Sequence, residues 1–388
     1  MDYDIIIIGF GISGISMAKE CVKRKKKFII FEKENSFGGV WQNAHDKSEL
    51  QTHKTFYEFC EETSMPREFK DYPSKNELLI YLKSIIEKYS INKNVLYNFK
   101  VSNIERVNDV YIVNNKYKSK YIAICCGNNN KLKKIKVLND YTGKIIYSKY
   151  IKNFDFNKLN DKNVLIIGNG ATACDVIKNI HNIDSKLKVI CVYKSPKYYI
   201  DKFIFGFPIS LFLNELVLLL FKNINLAFYR IIVKLINFIF FGNVLDIPYE
   251  KINSNNLVGS NIIPTKMKNE SLIYIKDTIK FTSEKNVICS KNILLNIDYI
   301  FCCNGYSNYV SFIDKIPKKR YLGIFNKDYK NIGFIGYNPS YNFPKICEKQ
   351  SNIFLDFIDN KMNINNYYSR KIYNNVDYTY NLYDYLKL

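Results

Sequence analysis

The stretch that decides the fold is DIIIIGFGISG, from Asp4 to Gly14. Its first part, Asp4 to Ile8, is a nearly unbroken isoleucine run, which is typical of a strand buried on both faces of a parallel sheet. Helical periodicity follows from Ile12 to Arg24, and a second apolar run extends from Lys27 to Phe31. The order of strand, helix and strand predicts a βαβ unit with the glycines in its first loop.

The glycines of this loop have the spacing Gly-x-Gly-x-x-Gly, which is that of a dinucleotide-binding loop. The first glycine permits a tight turn, the second lets a pyrophosphate approach the backbone, and the third lets helix and strand pack closely. The helix N-terminus favours phosphate, and Glu32 ends the next strand, where an acid can bond ribose hydroxyls. The residues that we predict to contact this first dinucleotide are Gly9, Phe10, Gly11, Ile12, Ser13, Gly14 and Glu32.

A second loop of the same kind, GNGATA, follows the apolar run from Asn163 to Ile167. Alanine at its last position is an accepted variant of the pattern. A helix from Ala171 to His181 and a strand from Leu187 to Tyr193 complete a second predicted βαβ unit. The loop residues that we predict to contact a second dinucleotide are Gly168, Asn169, Gly170, Ala171, Thr172 and Ala173.

The residues after Tyr193 indicate which dinucleotide the second loop binds. No acid stands at this strand end; Lys194, Ser195 and Lys197 follow it. An acid there favours NAD, whereas cations favour the 2′-phosphate of NADP. We therefore predict that Lys194 and Lys197 bind NADPH. The alternative is that both belong to the general lysine excess of the chain.

Two such loops, about 160 residues apart, predict an α/β fold with two Rossmann-like dinucleotide-binding domains. Because a hydride must pass between two dinucleotides, we expect one cofactor to be a flavin, FAD, and the other to be NADPH. The predicted arrangement is an FAD-binding domain with an inserted NAD(P)H-binding domain. A late buried strand at Tyr299–Cys303 is expected to return the chain to the first domain. The predicted boundaries are 1–150 for the first part of the FAD domain, 151–295 for the NAD(P)H domain, and 296–388 for the return and the C-terminal tail.

Length and charge limit the other classes of protein. The chain has 388 residues and is 47% hydrophobic, which predicts two or three globular domains. A net charge of +21 raises nucleic acid as a partner, but only six of the 57 basic residues are arginine. Proteins that read nucleic acid depend on arginine for bidentate contacts. We therefore predict no nucleic-acid partner.

Cysteine and histidine usage points to a reducing compartment. The ten cysteines form no CxxC motif, and the pairs Cys125–Cys126 and Cys302–Cys303 lie inside apolar runs. This pattern predicts buried thiols in a cytoplasmic protein. With only three histidines and no metal-ligand spacing, no metal site is predicted. The chain begins directly with a strand pattern, so we expect no signal peptide.

An apolar block at about 203–241 has two interpretations. From Leu216 to Phe241 it contains no acid, and its only charged residues are Lys222, Arg230 and Lys234. One interpretation is a helix pair lying on a membrane, with the cations toward anionic headgroups. The other is a helical cap over a substrate pocket.

Several motifs together resemble the flavin-containing monooxygenase family. FEK at Phe31–Lys33, followed by FGGVW at Phe37–Trp41, is similar to the family's FEK…GG-L/V-W signature. Tyr141–Ser148 is similar to its FxGxxxHS segment, and Cys303–Tyr306 to its ATGY strand end. The resemblance extends from about residue 3 to about residue 340, and the plant YUCCA-type branch is the nearest. In that branch the block at 203–241 is helical, which favours the cap.

The resemblance also implies a reaction and further site residues. NADPH would reduce FAD, and the reduced flavin would capture O2 as a C4a-hydroperoxide that oxygenates a small organic substrate. Many members carry an active-site Asn where this chain has His53, which makes His53 the candidate catalytic residue. Tyr147 replaces the His of the FxGxxxHS segment. The further cofactor contacts that the resemblance implies are Lys33, Val40, Trp41, Thr52, His53, Asn304 and Gly305.

Other functions remain as alternatives to the monooxygenase. One is an NAD(P)H-linked flavin reductase or oxidase; the absence of CxxC argues against a disulfide reductase. Another is a pseudoenzyme that binds nucleotides and acts as a regulator. The substrate is an amine, a sulfide or a keto acid, and the sequence favours no oligomeric state. A peripheral contact with the cytoplasmic face of a membrane is a further alternative to a freely cytoplasmic protein.

Overall fold

A computed structural model describes residues 2–59, 64–128, 131–183, 187–212, 257–260, 262–318, 320–338, 342–362 and 364. The chain divides into two compact units. Unit 1 consists of Met1–Asn43, Lys54–Lys131 and Tyr306–Leu388, and unit 2 consists of Ala44–His53 and Leu132–Gly305.

The regular elements are numbered in chain order. The helices are α1 (Ile12–Lys23), α2 (Lys75–Lys88), α3 (Ala171–Ile183), α4 (Ile209–Phe212), α5 (Ile262–Lys268) and α6 (Phe343–Ile358). The strands up to the second glycine loop are β1 (Tyr3–Ile8), β2 (Phe28–Phe31), β3 (Val95–Leu96), β4 (Ile104–Val107), β5 (Val110–Val113), β6 (Tyr117–Ile124), β7 (Lys131–Leu132), β8 (Lys144–Tyr147) and β9 (Val164–Ile167). The later strands are β10 (Val189–Tyr193), β11 (Tyr198–Ile200), β12 (Phe203–Ile204), β13 (Phe207–Pro208), β14 (Leu257–Gly259), β15 (Leu272–Lys276), β16 (Ile279–Ser283), β17 (Asn286–Cys289), β18 (Ile293–Leu294), β19 (Tyr299–Cys302), β20 (Tyr306–Ser307) and β21 (Ile332–Phe334).

Unit 1 is built on a sheet with the strand order β3-β2-β1-β6-β5-β4, in which β21 also pairs with β6. Strands β1, β2, β3, β6 and β21 are parallel, whereas β4 and β5 form an antiparallel hairpin beside β6. The isoleucines of β1 are buried because the sheet is covered on both faces. Ile6 and Ile8 join a cluster that includes Phe31, Val113 and Phe334.

Helices α1 and α6 of unit 1 are joined by charged side chains as well as by apolar ones. The side chain of Lys19 is fully buried; its ammonium pairs with Glu348 of α6 and lies 3.4 Å from the carboxylate of Glu20. Nearer the end of α1, Arg24 forms a 2.7 Å ion pair with Asp356. Because α1 begins at the glycine loop, these pairs also fix the helix that carries the loop.

Helix α2 of unit 1 begins with a reciprocal cap. The backbone N–H of Glu77 donates to the Ser74 hydroxyl, and the N–H of Ser74 donates to the Glu77 carboxylate at 2.8 Å. Both N–H groups lack an intrahelical partner in this position, so the pair satisfies two donors at once. These bonds hold the pKa of Glu77 below its usual range, although burial acts in the opposite direction.

Unit 2 is built on an all-parallel sheet with the strand order β15-β10-β9-β19-β8. Its core contains α3 and the sheet, with Ala173 of α3 among the buried residues. The rings of Phe156 and Phe301 stack at 5.8 Å between centroids and 5° between planes. A second, antiparallel sheet of β16, β17 and β18 packs its Val287 and Leu294 with Leu165 and Ile300.

A short hairpin, β12–β13, is the described beginning of the apolar block. Its turn residues Phe205 and Gly206 have φ values of 49° and 79°, and the side chain of Phe205 is 88% exposed. The part of the predicted block from 213 to 241 lies outside the described residues. No helix in the described part of the chain has the length and apolarity that a membrane crossing needs.

The topology confirms the predicted fold class of two Rossmann-like domains, since both sheets have a parallel core with the strand order 3-2-1-4 of that fold. The units change at 131/132 and 305/306, however, and the predicted boundaries were 150/151 and 295/296. The strand at Tyr299–Cys303, expected to return the chain to the first domain, contains β19, which pairs with β8 and β9 of unit 2. The return therefore follows Gly305. Segment Ala44–His53 belongs to unit 2, although the predicted boundaries put it in the first domain.

Candidate functional site

The first glycine loop is held by hydrogen bonds from both neighbouring strands. The N–H of Gly9 donates to the carbonyl of Phe31 at 2.8 Å, and the N–H of Cys125 donates to that of Ile8 at 2.8 Å. Gly9 has a φ of 100°, and a Cβ atom there would lie 2.7 Å from the carbonyl oxygen of Cys125. Both the backbone conformation and the contact therefore require glycine at this position.

The second loop repeats this arrangement in unit 2. The N–H of Gly168 donates to Val192 at 2.8 Å, and that of Cys303 donates to Ile167 at 2.8 Å. Gly168 has a φ of 107°, and a Cβ atom there would lie 2.4 Å from the carbonyl oxygen of Cys303. Thus Cys125 and Cys303, predicted only to be buried thiols, each bring a backbone carbonyl against the first glycine of a loop.

The third loop position differs between the units. A Cβ atom on Gly14 would lie 2.0 Å from the carbonyl oxygen of Gly9, so α1 crosses the loop in backbone contact. In unit 2 the equivalent residue is Ala173, which is fully buried. The methyl group of Ala173 needs space, which implies that α3 lies slightly farther from its loop than α1 does.

The middle glycines leave room for a diphosphate at the two helix N-termini. Gly11 caps α1 with no side-chain hydrogen bond, and the first turn of α1 contains no acid. The nearest atom to a Cβ on Gly11 would be the Cα of Gly39, at 3.5 Å; around Gly170 no heavy atom of the described residues would lie within 4 Å. Orphan N–H groups and a partial positive charge favour an anion there. Both sites therefore fit the phosphates of a dinucleotide.

Glu32, which directly follows β2, holds the first loop through its carboxylate. One oxygen accepts the N–H of Phe10 at 2.7 Å and the other that of Glu34 at 2.9 Å. Burial raises the pKa of Glu32, and the two hydrogen bonds act in the opposite direction. A carboxylate has about four acceptor positions, so two remain for ribose hydroxyls. The neighbouring Lys33 is exposed, with its ammonium 3.8 Å from Glu34.

Asn169 has the corresponding role in the second loop, with an amide in place of an acid. Its side-chain NH2 donates to the Ser195 carbonyl at 3.0 Å and to the Tyr274 hydroxyl at 2.7 Å. The hydroxyl of Tyr199 donates to the Asn169 carbonyl at 2.8 Å. The loop is thereby tied to the residues that follow β10.

The cations after β10 differ in exposure. Lys194 is exposed, whereas Lys197 is half-buried, and burial lowers the pKa of Lys197. A compact ammonium on a flexible stem can reach a phosphate from either position.

Val40 and Trp41 lie in a turn of unit 1 that follows Gly39. Val40 is 56% exposed, and the half-buried Trp41 donates its indole N–H to the Tyr57 hydroxyl at 3.0 Å. The two rings meet edge to face at 6.0 Å. Burial raises the pKa of the Tyr57 phenol, so this hydroxyl stays protonated and has a proton of its own to donate.

Thr52 and His53 lie in unit 2, at the end of segment 44–53. His53 is 6% exposed, and its backbone N–H donates to the Ser210 hydroxyl at 2.9 Å. The segment is also held by Ser48, whose hydroxyl donates to Asp175 of α3 at 3.0 Å. Burial raises the pKa of Asp175 to about 6, partly offset by the Ser48 hydrogen bond.

Two ion pairs of Glu49 also hold this segment. The carboxylate of Glu49 lies 3.5 Å from the ammonium of Lys178 on α3 and 3.0 Å from that of Lys202. The segment that carries Thr52 and His53 is therefore fixed to the helix of the second glycine loop.

Asn304 and Gly305 follow β19 in unit 2. The Asn304 amide donates to the carbonyl of Lys133 at 2.9 Å. Gly305 has a φ of 81°, and no heavy atom of the described chain would meet a Cβ within 4 Å. The predicted residues thus form two sets, with Gly9–Gly14, Glu32, Lys33, Val40 and Trp41 in unit 1 and all the others in unit 2.

Four residues that shape the loops were not predicted from the sequence. They act through the backbone carbonyls of Cys125 and Cys303 and through the side chains of Tyr199 and Tyr274. A signal for the two cysteines was present, because Cys-Cys-Gly and Cys-Asn-Gly end the corresponding strands β6 and β19. No local pattern predicts the tyrosines, since they reach the loop from elements far along the chain.

Known proteins with related sequences include oxidoreductases and monooxygenases. The family model "Pyridine nucleotide-disulphide oxidoreductase" matches residues 6–200, which is half of the chain. A 4-hydroxybenzoate brominase (decarboxylating) of Marinomonas mediterranea is 27% identical over 205 residues, covering 50% of this chain and 39% of that protein. The FAD-binding monooxygenase ktnD of Aspergillus niger is 27% identical over 221 residues, covering 51% and 35%.

A plant relative and a solved structure extend the comparison. "Probable indole-3-pyruvate monooxygenase YUCCA3" of Arabidopsis thaliana is 24% identical over 218 residues, covering 52% of this chain and 48% of that protein. The crystal structure of cyclohexanone monooxygenase from Rhodococcus sp. Phi1 bound to NADP+ has a TM-score of 0.70 at 16% identity, covering 92% and 84%. The matched regions span half or less of the lengths of these curated relatives.

These matches confirm the resemblance to flavin monooxygenases that the motifs predicted, including the YUCCA branch. The predicted cofactor pair of FAD and NADPH agrees with them, since one relative is named FAD-binding and one solved neighbour holds NADP+. Two glycine loops of one geometry, two parallel sheets and a family model that spans both loops lead to one conclusion: the chain belongs to the pyridine nucleotide-disulphide oxidoreductase family.

Proposed function

We propose that this protein is an FAD- and NADPH-dependent monooxygenase that oxygenates a small organic substrate with O2. The observation that carries the proposal is the repetition of one loop geometry in both units, with different chemistry at the second strand end. Glu32 stands after β2, whereas Lys194 and Lys197 stand after β10. Two distinct dinucleotides account for this difference.

FAD is assigned to the loop of unit 1. The orphan N–H groups at the start of α1 would bind its diphosphate, and Glu32 would accept ribose hydroxyls with the acceptor positions that Phe10 and Glu34 leave open. Val40 and Trp41 would lie along the flavin. Trp41 is fixed by its bond to Tyr57, so its ring can orient a planar cofactor.

NADPH is assigned to the loop of unit 2. The start of α3 would bind its diphosphate, and the exposed Lys194 would contact the 2′-phosphate together with Lys197. Thr52, His53, Asn304 and Gly305 stay proposed contacts of the cofactors. His53 stays the proposed catalytic residue, and the fixed segment that carries it would hold its buried ring in one orientation.

When bound, FAD would accept a hydride from NADPH and then activate O2. The protein's share of this chemistry is to bind and orient the cofactors and to exclude water. Oxygenation of the substrate by the reduced flavin and O2 is part of this proposal. The substrate class that we propose is an amine, a sulfide or a keto acid.

The cysteines favour the monooxygenase over a dithiol reductase. Burial raises the pKa of Cys126 and of Cys302 to about 12. Burial also raises the pKa values of the adjacent Cys125 and Cys303 well above the usual value of a thiol. Because thiolate is the reactive form, the two adjacent pairs are poorly suited to disulfide exchange.

A matched pair of variants tests the assignment of the two loops. Gly11→Asp and Gly170→Asp each place a carboxylate where a diphosphate would lie. We expect the Gly11 variant to purify without FAD. The Gly170 variant should retain FAD that dithionite reduces and NADPH does not. Equal FAD content in the Gly11 variant and the wild type would contradict the first assignment.

The reaction itself is tested with the wild-type protein. Anaerobic NADPH should bleach the flavin absorbance, and O2 should then restore it with oxygenated product formed from a panel of amines, sulfides and keto acids. Peroxide as the only product would favour the reductase or oxidase alternative. Absence of flavin after reconstitution would favour the nucleotide-binding pseudoenzyme. Contact with a membrane surface stays a prediction for the block at 203–241.

A further inference from the structure

Two tyrosine rings are stacked at the end of β10 in unit 2. The ring of Tyr193 lies 4.1 Å from that of Tyr274, centroid to centroid, with 23° between the planes. Tyr193 is the last residue of β10, and Tyr274 lies opposite Cys191 in the paired strand β15. Cys191 belongs to the buried cluster that contains Ala173 of α3, and Tyr274 packs against the same cluster. Both rings therefore lie on the face of the sheet that carries α3.

Tyr274, the inner ring of this stack, is fixed by hydrogen bonds to Asn169 and Tyr199. The Tyr274 hydroxyl accepts from the amide of Asn169 at 2.7 Å and lies 3.1 Å from the Tyr199 hydroxyl. The Tyr199 hydroxyl donates its proton to the backbone carbonyl of Asn169 at 2.8 Å. The proton of the Tyr274 hydroxyl is therefore directed to the Tyr199 oxygen. The second amide proton of Asn169 is bound by the Ser195 carbonyl. Every donor of this set is used, and the set ties the ring to the glycine loop.

The Tyr193 ring is covered on one face by a described residue and keeps part of its surface accessible among the described residues. Tyr274 covers one face of the Tyr193 ring, and Tyr193 as a whole is only half-buried. In a dinucleotide-binding βαβ unit, the residue that ends the second strand lies beside the ribose of the adenosine half. Tyr193 has this position in unit 2, where an acid stands in NAD-binding members of the fold.

We propose that Tyr193, supported by Tyr274, is the aromatic shelf on which the adenine ring of the nicotinamide cofactor stacks. This inference rests on the proposed assignment of NADPH to the second loop. A purine stacks well on an aromatic side chain, and the rigid inner ring lowers the entropy cost of holding the outer ring flat. The shelf binds adenosine, whereas the neighbouring Lys194 recognises the 2′-phosphate.

This division of roles predicts two different specificity patterns. Since adenine is common to NADPH and NADH, loss of the Tyr193 ring weakens the binding of both cofactors by the same factor. Loss of the Lys194 ammonium weakens the binding of NADPH alone, because NADH has no 2′-phosphate. Reduced nicotinamide mononucleotide lacks adenosine, so neither substitution changes its reaction with the enzyme.

The test compares Tyr193→Phe, which keeps the ring, with Tyr193→Leu, which removes it but keeps an apolar side chain. The holoenzyme is titrated calorimetrically with 2′,5′-ADP and with NADPH, and flavin reduction by reduced nicotinamide mononucleotide is measured in parallel. We expect the Phe variant to bind like the wild type. The Leu variant should bind 2′,5′-ADP and NADPH about tenfold more weakly, as for a base that loses its stacking partner. Its FAD content should be unchanged.

The results distinguish failure of the proposed function from failure of the aromatic shelf. If the wild type binds neither 2′,5′-ADP nor NADPH, the proposed function fails. If the wild type binds both and the Leu variant binds equally well, the shelf is refuted and the proposed function stands. A Leu variant that reacts as poorly with reduced nicotinamide mononucleotide as with NADPH would mean a distorted loop, which also refutes the shelf.

Discussion

The backbone N–H of Phe10 donates a 2.7 Å hydrogen bond to the carboxylate of Glu32. The acid that the sequence assigns to a ribose therefore also holds the loop that would bind the diphosphate. Its other oxygen accepts from Glu34, so the carboxylate links the loop after β1 to the residues after β2. In the proposed assignment, ligand binding and loop stability are coupled through this one buried side chain.

Substitution of Glu32 should separate these two roles. Glu32→Gln keeps one oxygen for the Phe10 N–H, whereas Glu32→Ala leaves that buried donor unpaired at a cost of about 1–3 kcal/mol. We expect both variants to bind FAD more weakly. The Ala variant, which loses both hydrogen bonds, should unfold at lower denaturant than the Gln variant, which loses only that of Glu34. Flavin content and urea denaturation measure the two effects. Equal stability of the two variants would show that the hydrogen bond contributes little.

The first glycines of the two loops should respond alike to a methyl group. Gly9→Ala and Gly168→Ala each combine a positive φ with a Cβ that meets a cysteine carbonyl. We expect each variant to lose about 2–4 kcal/mol of unfolding free energy from strain and overlap. Gly170→Ala is the control, because its Cβ meets no described atom within 4 Å. Chemical denaturation of all three compares them, and a control as unstable as the others would contradict the steric explanation.

The buried ammonium of Lys19 should be costly to remove alone. In Lys19→Met the carboxylate of Glu348 loses its partner, which we expect to destabilise the protein by about 3–5 kcal/mol. The double variant Lys19→Met with Glu348→Leu should recover most of that loss, because the Glu348 charge is gone and Glu20 keeps Lys23 at 3.4 Å. A double-mutant cycle by denaturation measures the coupling. Additive losses in the double variant would argue against the ion pair.

Asp175 should make stability depend on pH. Burial raises its pKa in the folded protein to about 6, above the value of an unfolded aspartate. Its contribution to stability is therefore fully present below the unfolded pKa and is lost as the pH rises through about 6. Asp175→Asn removes this dependence while it keeps an oxygen for the Ser48 hydroxyl. We expect the Asn variant to gain stability relative to the wild type, by about 1–3 kcal/mol, between pH 4.5 and pH 7.5.

The measurement is urea denaturation of both proteins at the two pH values. A constant difference between them would mean that Asp175 has an ordinary pKa. Ser48→Ala serves as a second comparison, since loss of its hydroxyl should raise the pKa of Asp175 further.

The sequence predicts those parts of the fold that local pattern determines. The isoleucine run of β1, the spacing of the glycines and Glu32 after β2 each follow from periodicity or turn chemistry. The partners of Glu32 and of Asn169 could not be predicted, because they depend on which strand lies beside which. The same limit applies to β19, whose apolar pattern suits either parallel sheet.

The segment that carries Thr52 and His53 shows a second limit. Nothing in its composition indicates that it belongs to unit 2, because its attachment depends on single contacts with Asp175, Lys178 and Ser210. The motif resemblance placed these two residues near the cofactors without revealing which unit holds them. Side-chain contacts between distant residues carry that information, and one sequence does not contain it.

The division of the chain into units has a consequence for synthesis on the ribosome. Unit 2 ends at Gly305, whereas the sheet of unit 1 needs β21, which begins at Ile332. Every strand of unit 2 is therefore synthesised before the last described strand of unit 1. The N-terminal isoleucine strand must remain incompletely covered until then, although it is translated first. In this protein the domain that starts earliest is the one that can finish folding only last.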